Sequence, residues 1–367
     1  MSVSNKMSTI VSQALDAKRF PNDQETLEQI KNSDLPLVLW GSAKFAKHIF
    51  RILEKDKISV SAVFVDNPKV GETFEGHLVC TFEDVIAKFG QIDILLAHGE
   101  RSLIPKYSNN ENVNKVFTIF DFQCLGFSYE RKFLESNADV FNGIWNDLSD
   151  EFSKKSFEAY IKSRVSNNFE HIQEFVTGNQ YFQDFINFTN SEIVIDCGAY
   201  TGDTLLEFSD LVKGEFKKYF ALEPSDTNAK IMAVLIVKNA IGNVEIIKKG
   251  AWNEHAYFSF LEDTDTSHMN IQYESPGENT IEVDKIDLIC DSNATFIKMD
   301  IEGAELMALK GASETISKNK PKLALAIYHR TEDLITIPKY LKELRPDYKF
   351  YFRLHNKIGT DAVLYAI

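Results

Sequence analysis

No stretch of this chain approaches the roughly 20 consecutive apolar residues that cross a bilayer, although 44% of its 367 residues are hydrophobic. The opening segment, MSVSNKMSTIVSQALDAKRF, has no apolar core of the kind a secretory leader needs. Positive charge is in deficit: 40 lysines and arginines face 54 aspartates and glutamates, a net charge of −14. A phosphate backbone is gripped by a basic face, so this balance points away from nucleic acid as a partner. Cysteines are few and scattered. Cys80, Cys124, Cys197 and Cys290 form no CxxC or CxxH pair, which excludes a zinc site or disulfide frame and reads as thiols in a reducing compartment. Low-complexity tracts and tandem repeats are missing as well. The expectation is a cytoplasmic protein without a membrane span, long enough for two domains.

Two segments share one grammar: apolar strand, small-residue turn, amphipathic helix, then a second apolar strand ending in an acid. The first is LVLWGSAKFAKHIFRIL (37–53) followed by VSAVFVDN. The second is IVIDCGAYTGDTLLEF (193–208) followed by KKYFALEPSD. Each opens a doubly wound sheet as a βαβ unit. The fold class expected is therefore α/β with two Rossmann-like domains. They occupy residues 1–125 and 186–367, joined by a helical connecting segment at 126–185. Within that segment Phe157, Tyr160, Ile161 and Val165 recur at helical spacing and read as packing.

The turn DCGAYTGD resembles a phosphate loop but fails one test. A dinucleotide fingerprint needs two glycines one residue apart so that backbone can approach the pyrophosphate. Here Gly198 is followed by Tyr200, and the next glycine is Gly202. The tyrosine obstructs a pyrophosphate, whereas amides at a helix N-terminus still suit a carboxylate. Asp196 at the strand end can meet an ammonium group, and Glu223 at the next strand end can accept from both ribose hydroxyls. S-adenosylmethionine carries an amino-acid end, a ribose and no phosphate, and it satisfies these groups together.

The segments DCGAYTGDT, ALEPS and GAWNE, and above all FIKMDIEGAELMALKGA (296–312), resemble the FkbM family of S-adenosylmethionine-dependent methyltransferases. The resemblance covers about half the chain and implies a class I methyltransferase fold for residues 186–367. It implies O-methylation of a sugar, glycan-precursor or natural-product hydroxyl. It assigns the cofactor to Asp196, Gly198, Tyr200, Gly202, Asp203 and Glu223, with Thr201 and Pro224 beside them. Ala251 and Trp252 border the adenine, and Tyr181 with Phe182 stands before the first strand as a cover.

The stretch IKMDIEGAE places Lys298, Asp300, Glu302 and Glu305 at the end of a core strand, in the crevice where open α/β sheets bind ligands. Glu302 and Glu305 are expected in the first turn of the following helix, near the positive end of its dipole. Lys298 is expected to pair with Asp300 or a glutamate. His329 ends the strand KLALAIYH; with an ordinary pKa of about 6.5 it is neutral near pH 7 and serves as the base. Asp300 then orients base or acceptor. The rival has Asp300, Glu302 and His329 hold a divalent metal. The polar loop 263–279, carrying Ser267 and His268, is a candidate lid or acceptor contact.

In the first domain, Gly41, Ala43 and Ala46 form a worn dinucleotide turn, Asp66 stands where a ribose acid belongs, and His98 with Gly99 ends a further strand. The fragment FVDNPKVGETFEGHLV is similar to the N-terminal nucleotide-sugar-binding domain of sugar acyltransferases. Two alternative functions follow from these units: an NAD(P)-dependent oxidoreductase, or a non-catalytic nucleotide-sugar-binding protein. Tyr200 and the missing glycines argue against the first, and the polar cluster of 298–305 against the second.

Overall fold

Runs such as LVLW, IDILL, IVIDC and LALA are apolar at successive positions, without alternation. That pattern belongs to strands covered on both faces, which is the situation of a parallel sheet flanked by helices. A computed structural model describes residues 21, 23–97, 103–119, 131–259, 280–290 and 293–367. The chain divides into two compact units, one of Arg19–Ser128 and a larger one that includes Tyr129–Ile367.

The smaller unit carries β1 (Leu37–Trp40), β2 (Ala62–Phe64), β3 (Thr73–Phe74), β4 (His77–Cys80), β5 (Ile92–Leu96) and β6 (Val113–Thr118). Their order is β3-β4-β2-β1-β5-β6, parallel except for the β3–β4 pair. Gly41 follows β1 with φ +133°, and a Cβ there would stand 2.8 Å from the Ala97 carbonyl oxygen, so only glycine lets these strand ends approach. Asp66, expected as a ribose acid, is already engaged by the Tyr107 hydroxyl at 2.8 Å and the Lys106 ammonium at 2.6 Å. Lys106 leads in holding its carboxyl below the usual range. His98, Gly99 and Cys124 lie outside the described residues, as does the loop 263–279.

The larger unit holds β7 (Ile193–Cys197), β8 (Lys218–Leu222), β9 (Val244–Ile247), β10 (Gly250–Ala251), β11 (Ala256–Ser259), β12 (Thr280–Asp284), β13 (Phe296–Met299), β14 (Lys322–Ala326), β15 (Phe350–Leu354) and β16 (Ala362–Ala366). Seven of these form one sheet in the order β15-β16-β14-β13-β7-β8-β9. β7 pairs in parallel with both β8 and β13, so the order reverses beside it and opens a crevice at the carboxyl ends. β16 runs antiparallel to both neighbours. A separate small sheet, β10-β12-β11, was not anticipated. Its apolar face gathers Trp252, Phe258, Ile281 and Val283.

The helices Ala138–Asp147 and Glu151–Ser166, read from sequence within a connecting segment, belong to the larger unit. Phe157 and Tyr160 each stack edge-on against Phe352 of β15 at 5.5 Å between centroids. Arg353, buried, donates to Asp150 at 2.8 Å and to the Ser153 hydroxyl at 2.7 Å, clamping the start of helix Glu151–Ser166 to the sheet. Among the described residues no helix is long and apolar enough to cross a membrane.

Replacing Arg353 by methionine keeps the buried stem but removes the guanidinium from Asp150 and the Ser153 hydroxyl, which retain only the Ser153 and Phe352 amides. We expect Arg353→Met to lower stability by about 2 kcal/mol, less than for a fully buried pair because Asp150 is partly solvated. A urea midpoint that does not move would contradict the clamp.

Candidate functional site

The register of β13 against β7 sets Lys298 directly opposite Asp196. Both are buried, and the ammonium lies 3.0 Å from Asp196 Oδ1. Lys298 also donates to the Gly198 carbonyl at 2.7 Å, and the Tyr219 hydroxyl donates to Asp196 Oδ2 at 2.7 Å. Burial works against the charge on Lys298, yet Asp196 and then Asp300 hold its pKa above the ordinary value. Two expectations are corrected here. Lys298 pairs with Asp196 rather than with Asp300 or a glutamate, and Asp196, fully enclosed, ion-paired and absent from the cavity lining described below, does not offer its carboxylate to a ligand's ammonium.

The turn after β7 is shaped by close approach. Gly198 has φ +81°, and a Cβ there would collide with the Asp300 carbonyl oxygen. The amides of Gly198 and Ala199 both donate to Leu222 at 3.0 and 3.1 Å, and that of Tyr200 donates to Glu223 Oε2 at 2.9 Å. Several amides expected to face a carboxylate are thus spent inside the protein. Gly202 caps helix Asp203–Leu211 with φ +91°, where a Cβ would stand 2.8 Å from Met232 Cγ, so its role is packing.

A cavity of about 500 Å³ opens at the carboxyl ends of these strands. From the turn, Gly198, Tyr200 and Asp203 line it; Asp196, Thr201 and Gly202 do not. Glu223 and Pro224 line it after β8, and Ala251 after β9. Trp252 turns away into the small sheet, edge-on to Phe258 at 5.1 Å, so it does not border the cavity. Glu223 accepts from the Ser225 amide at 2.9 Å, from Asn228 at 3.3 Å and from the Tyr200 amide. Burial raises its pKa while these donors oppose the rise. With roughly four acceptor positions on a carboxylate, one remains for a ribose hydroxyl, not the two expected.

Across the cavity stand Lys298, Asp300 and Glu302, with Tyr181. The Tyr181 hydroxyl donates to Asp300 Oδ2 at 2.6 Å and that of Tyr328 to Oδ1 at 3.2 Å. Glu302 does not enter the helix, which begins at Glu305; it sits before it in a left-handed conformation, φ +56°, which is uncommon for residues other than glycine, asparagine, aspartate and histidine. Glu305 is fully buried and accepts from the Ile301 amide at 2.9 Å and from His329 Nδ1 at 2.8 Å.

His329 is buried behind the cavity wall, its Nε2 3.4 Å from Asp300 Oδ1 and 3.5 Å from Glu302 Oε2. Burial disfavours the charged ring, but Glu305, Asp300 and Glu302 outweigh it and raise the pKa to about 9. The neutral base expected near pH 7 is therefore not what this environment holds. Of the residues not singled out from sequence, Tyr328, Asp361, Gln180 and Asn228 line the cavity. Tyr328 stands next to His329 in the chain and was the most accessible of them to inspection. Asp361 precedes β16, and only the antiparallel return of that strand brings it here.

These features define a class I methyltransferase fold with its crevice beside the first strand of the sheet. The whole chain superposes on the crystal structure of methyltransferase FkbM from Methylobacillus flagellatus KT with a TM-score of 0.78 at 23% identity, covering 100% of this chain and 99% of that one. Residues 196–349 match the methyltransferase FkbM domain family. More distant folds include SMU.1697c, a putative methyltransferase from Streptococcus mutans in complex with SAH (TM-score 0.32, 14% identity, 48% of this chain and 88% of that one). Aeropyrum pernix fibrillarin with bound S-adenosyl-L-methionine is as remote (TM-score 0.32, 14% identity, 50% of this chain and 70% of that one). Neither bears on the site. No curated protein matches the chain.

Gly198 and Gly76 share φ +81°, but nothing lies within 4 Å of a Cβ at Gly76. Gly76→Ala should cost about 1 kcal/mol from the backbone alone, and Gly198→Ala about 3 kcal/mol or more, because the Asp300 carbonyl must move. Equal losses in thermal denaturation would refute the close approach.

Proposed function

We propose that this protein is an S-adenosylmethionine-dependent O-methyltransferase that acts on a hydroxyl of a sugar or glycan precursor. The observation that carries the reading is the cavity of about 500 Å³ at the strand ends, whose lining brings together the Gly198–Tyr200 turn, Glu223 and Asp300, all within the stretch that matches the FkbM domain. Its size is that of a small-ligand site.

The residues present fit the cofactor. Glu223 keeps one acceptor position for a ribose hydroxyl, and Ala251 offers an apolar edge to adenine. Asp203, at the start of its helix, replaces Asp196 as the carboxylate for the ammonium group. Tyr200 occupies the place where a pyrophosphate would need glycine, which weighs against a nicotinamide dinucleotide. When bound, S-adenosylmethionine supplies an electrophilic methyl group. Tyr181 and Tyr328 fix the Asp300 carboxylate at the cavity wall, where it holds the acceptor hydroxyl and takes its proton. Most of the rate comes from alignment of the acceptor oxygen with that methyl group.

Hydroxyl-bearing rings are commonly held by aromatic faces and polar tips together, and Tyr181, Tyr328, Gln180 and Asp361 provide both. The net charge of −14 also favours a small acceptor over nucleic acid. The resemblance of the single fragment FVDNPKVGETFEGHLV to nucleotide-sugar-binding domains is consistent with a sugar-linked acceptor.

A thermal-shift series with S-adenosylhomocysteine, NAD and UDP-sugars tests the reading. Stabilisation by S-adenosylhomocysteine alone or with a UDP-sugar is expected; a response to NAD without one to S-adenosylhomocysteine would reverse it. Asp300→Asn should lower kcat for labelled-methyl transfer about 10²–10⁴-fold while S-adenosylhomocysteine still binds.

A further inference from the structure

His329, Glu305 and Asp300 make more sense as ligands than as a proton relay. One ligand atom from each lies within 4.8 Å of the other two. Two buried polar atoms of this group, His329 Nε2 and Glu305 Oε2, have no hydrogen-bond partner. His329 is only 7% exposed. With Nδ1–H donated to Glu305 Oε1, its Nε2 lone pair is aimed at Asp300 Oδ1 and Glu302 Oε2, 3.4 and 3.5 Å away. Protonated, the ring balances only one of the three carboxylates Asp300, Glu302 and Glu305 around it; a divalent cation that takes the place of the Nε2 proton would meet that lone pair and neutralise the others.

We propose that Asp300, Glu305 and His329 form a binding site for one divalent cation in the wall of the cavity, with Glu302 at its rim. Ligands held about 2.1 Å from a common ion stand about 3.0–3.4 Å apart, so the 3.4 Å between Nε2 and Asp300 Oδ1 needs little adjustment. The Nδ1–H bond to Glu305 sets the imidazole tautomer as carboxylate–histidine pairs do at metal sites. Two carboxylates and one imidazole suit a hard-to-borderline ion such as Mn²⁺. The nearest ammonium, Lys298, is committed to Asp196 and the Gly198 carbonyl. Asp300 Oδ2 is bonded to Tyr181 at 2.6 Å, while Oδ1 has only the longer 3.2 Å bond from Tyr328 and keeps acceptor capacity for the ion. Glu305, buried and remote from the cavity lining, acquires a function that helix capping alone does not explain.

A second acidic group, His255, Glu282 and Asp284, has comparable spacing. There Lys249 already stands 2.7 Å from Glu282 and 3.4 Å from Asp284, so an ion would have to displace an ammonium. It is the internal control.

The role of the ion deepens the methyltransferase reading: seated beside the acceptor, it would lower the pKa of a hydroxyl that approaches it and so ease transfer of the proton to the Asp300 carboxylate. Its existence is tested separately. Full-length protein treated with EDTA and dialysed is titrated with Mn²⁺ and followed by loss of the free-ion electron paramagnetic resonance signal. One Mn²⁺ per chain is expected, with affinity reduced about 10–100-fold in Asp300→Asn and in Glu305→Gln, and unchanged in Glu282→Gln. Because Glu305 is buried, circular dichroism checks its fold, and the partly exposed Asp300 variant decides the matter if Glu305→Gln is unfolded. Absence of Mn²⁺ binding, or binding lost in Glu282→Gln and kept in Asp300→Asn, overturns the proposal. S-adenosylhomocysteine binding in the presence of EDTA distinguishes the failures: if it persists without Mn²⁺ binding, the metal site falls and the methyltransferase reading stands.

Discussion

The ion pair between Lys298 and Asp196 sits at the centre of the larger sheet, and the geometry of the site follows from it. Two charges enclosed in a parallel sheet each cost several kcal/mol of lost hydration. That cost is offset here by short contacts and by hydrogen bonds to the remaining polar atoms, including the Tyr219 hydroxyl and the Gly198 carbonyl. The same ammonium therefore ties β13 to the turn that follows β7. With those strand ends drawn together, only glycine fits at position 198, and the Asp300 carbonyl lies against it. The floor of the cavity is a consequence of a charge pair one layer below.

Above that floor the wall is acidic. Asp300, Glu302, Glu305 and Asp361 surround a single imidazole, and burial raises the carboxyl pKa of both Glu302 and Asp361. Such a concentration of partly desolvated negative charge destabilises the fold unless something positive joins it. The left-handed backbone at Tyr200 and Glu302, both lining the cavity, adds strain at the same place. Strain and uncompensated charge gathered in one crevice are what functional sites carry and packing does not explain.

Much of this was legible in the chain. The two turns after apolar runs were found because parallel strands are continuous in hydrophobicity and their carboxyl ends collect polar residues. IKMDIEGAE announced a site for the same reason. What could not be read was partnership. Lys298 has carboxylates two, four and seven positions away in sequence, yet its partner is 102 positions earlier, because strand register and not chain proximity sets the distance. Trp252 was misjudged, since it faces the small sheet, whereas Glu305 does stand in the first turn of its helix but is buried there against His329.

Residue order alone determined the class of fold and the place of the crevice, since hydrophobic periodicity and glycine position act locally along the chain. Tertiary structure decided which acids remain available: Asp196 is consumed, Glu223 is three-quarters occupied, and Asp300 with Glu305 converges on His329. The physical reason is that hydration, pKa and hydrogen-bond capacity depend on every neighbour within a few ångströms, and those neighbours come from strands far apart in the chain.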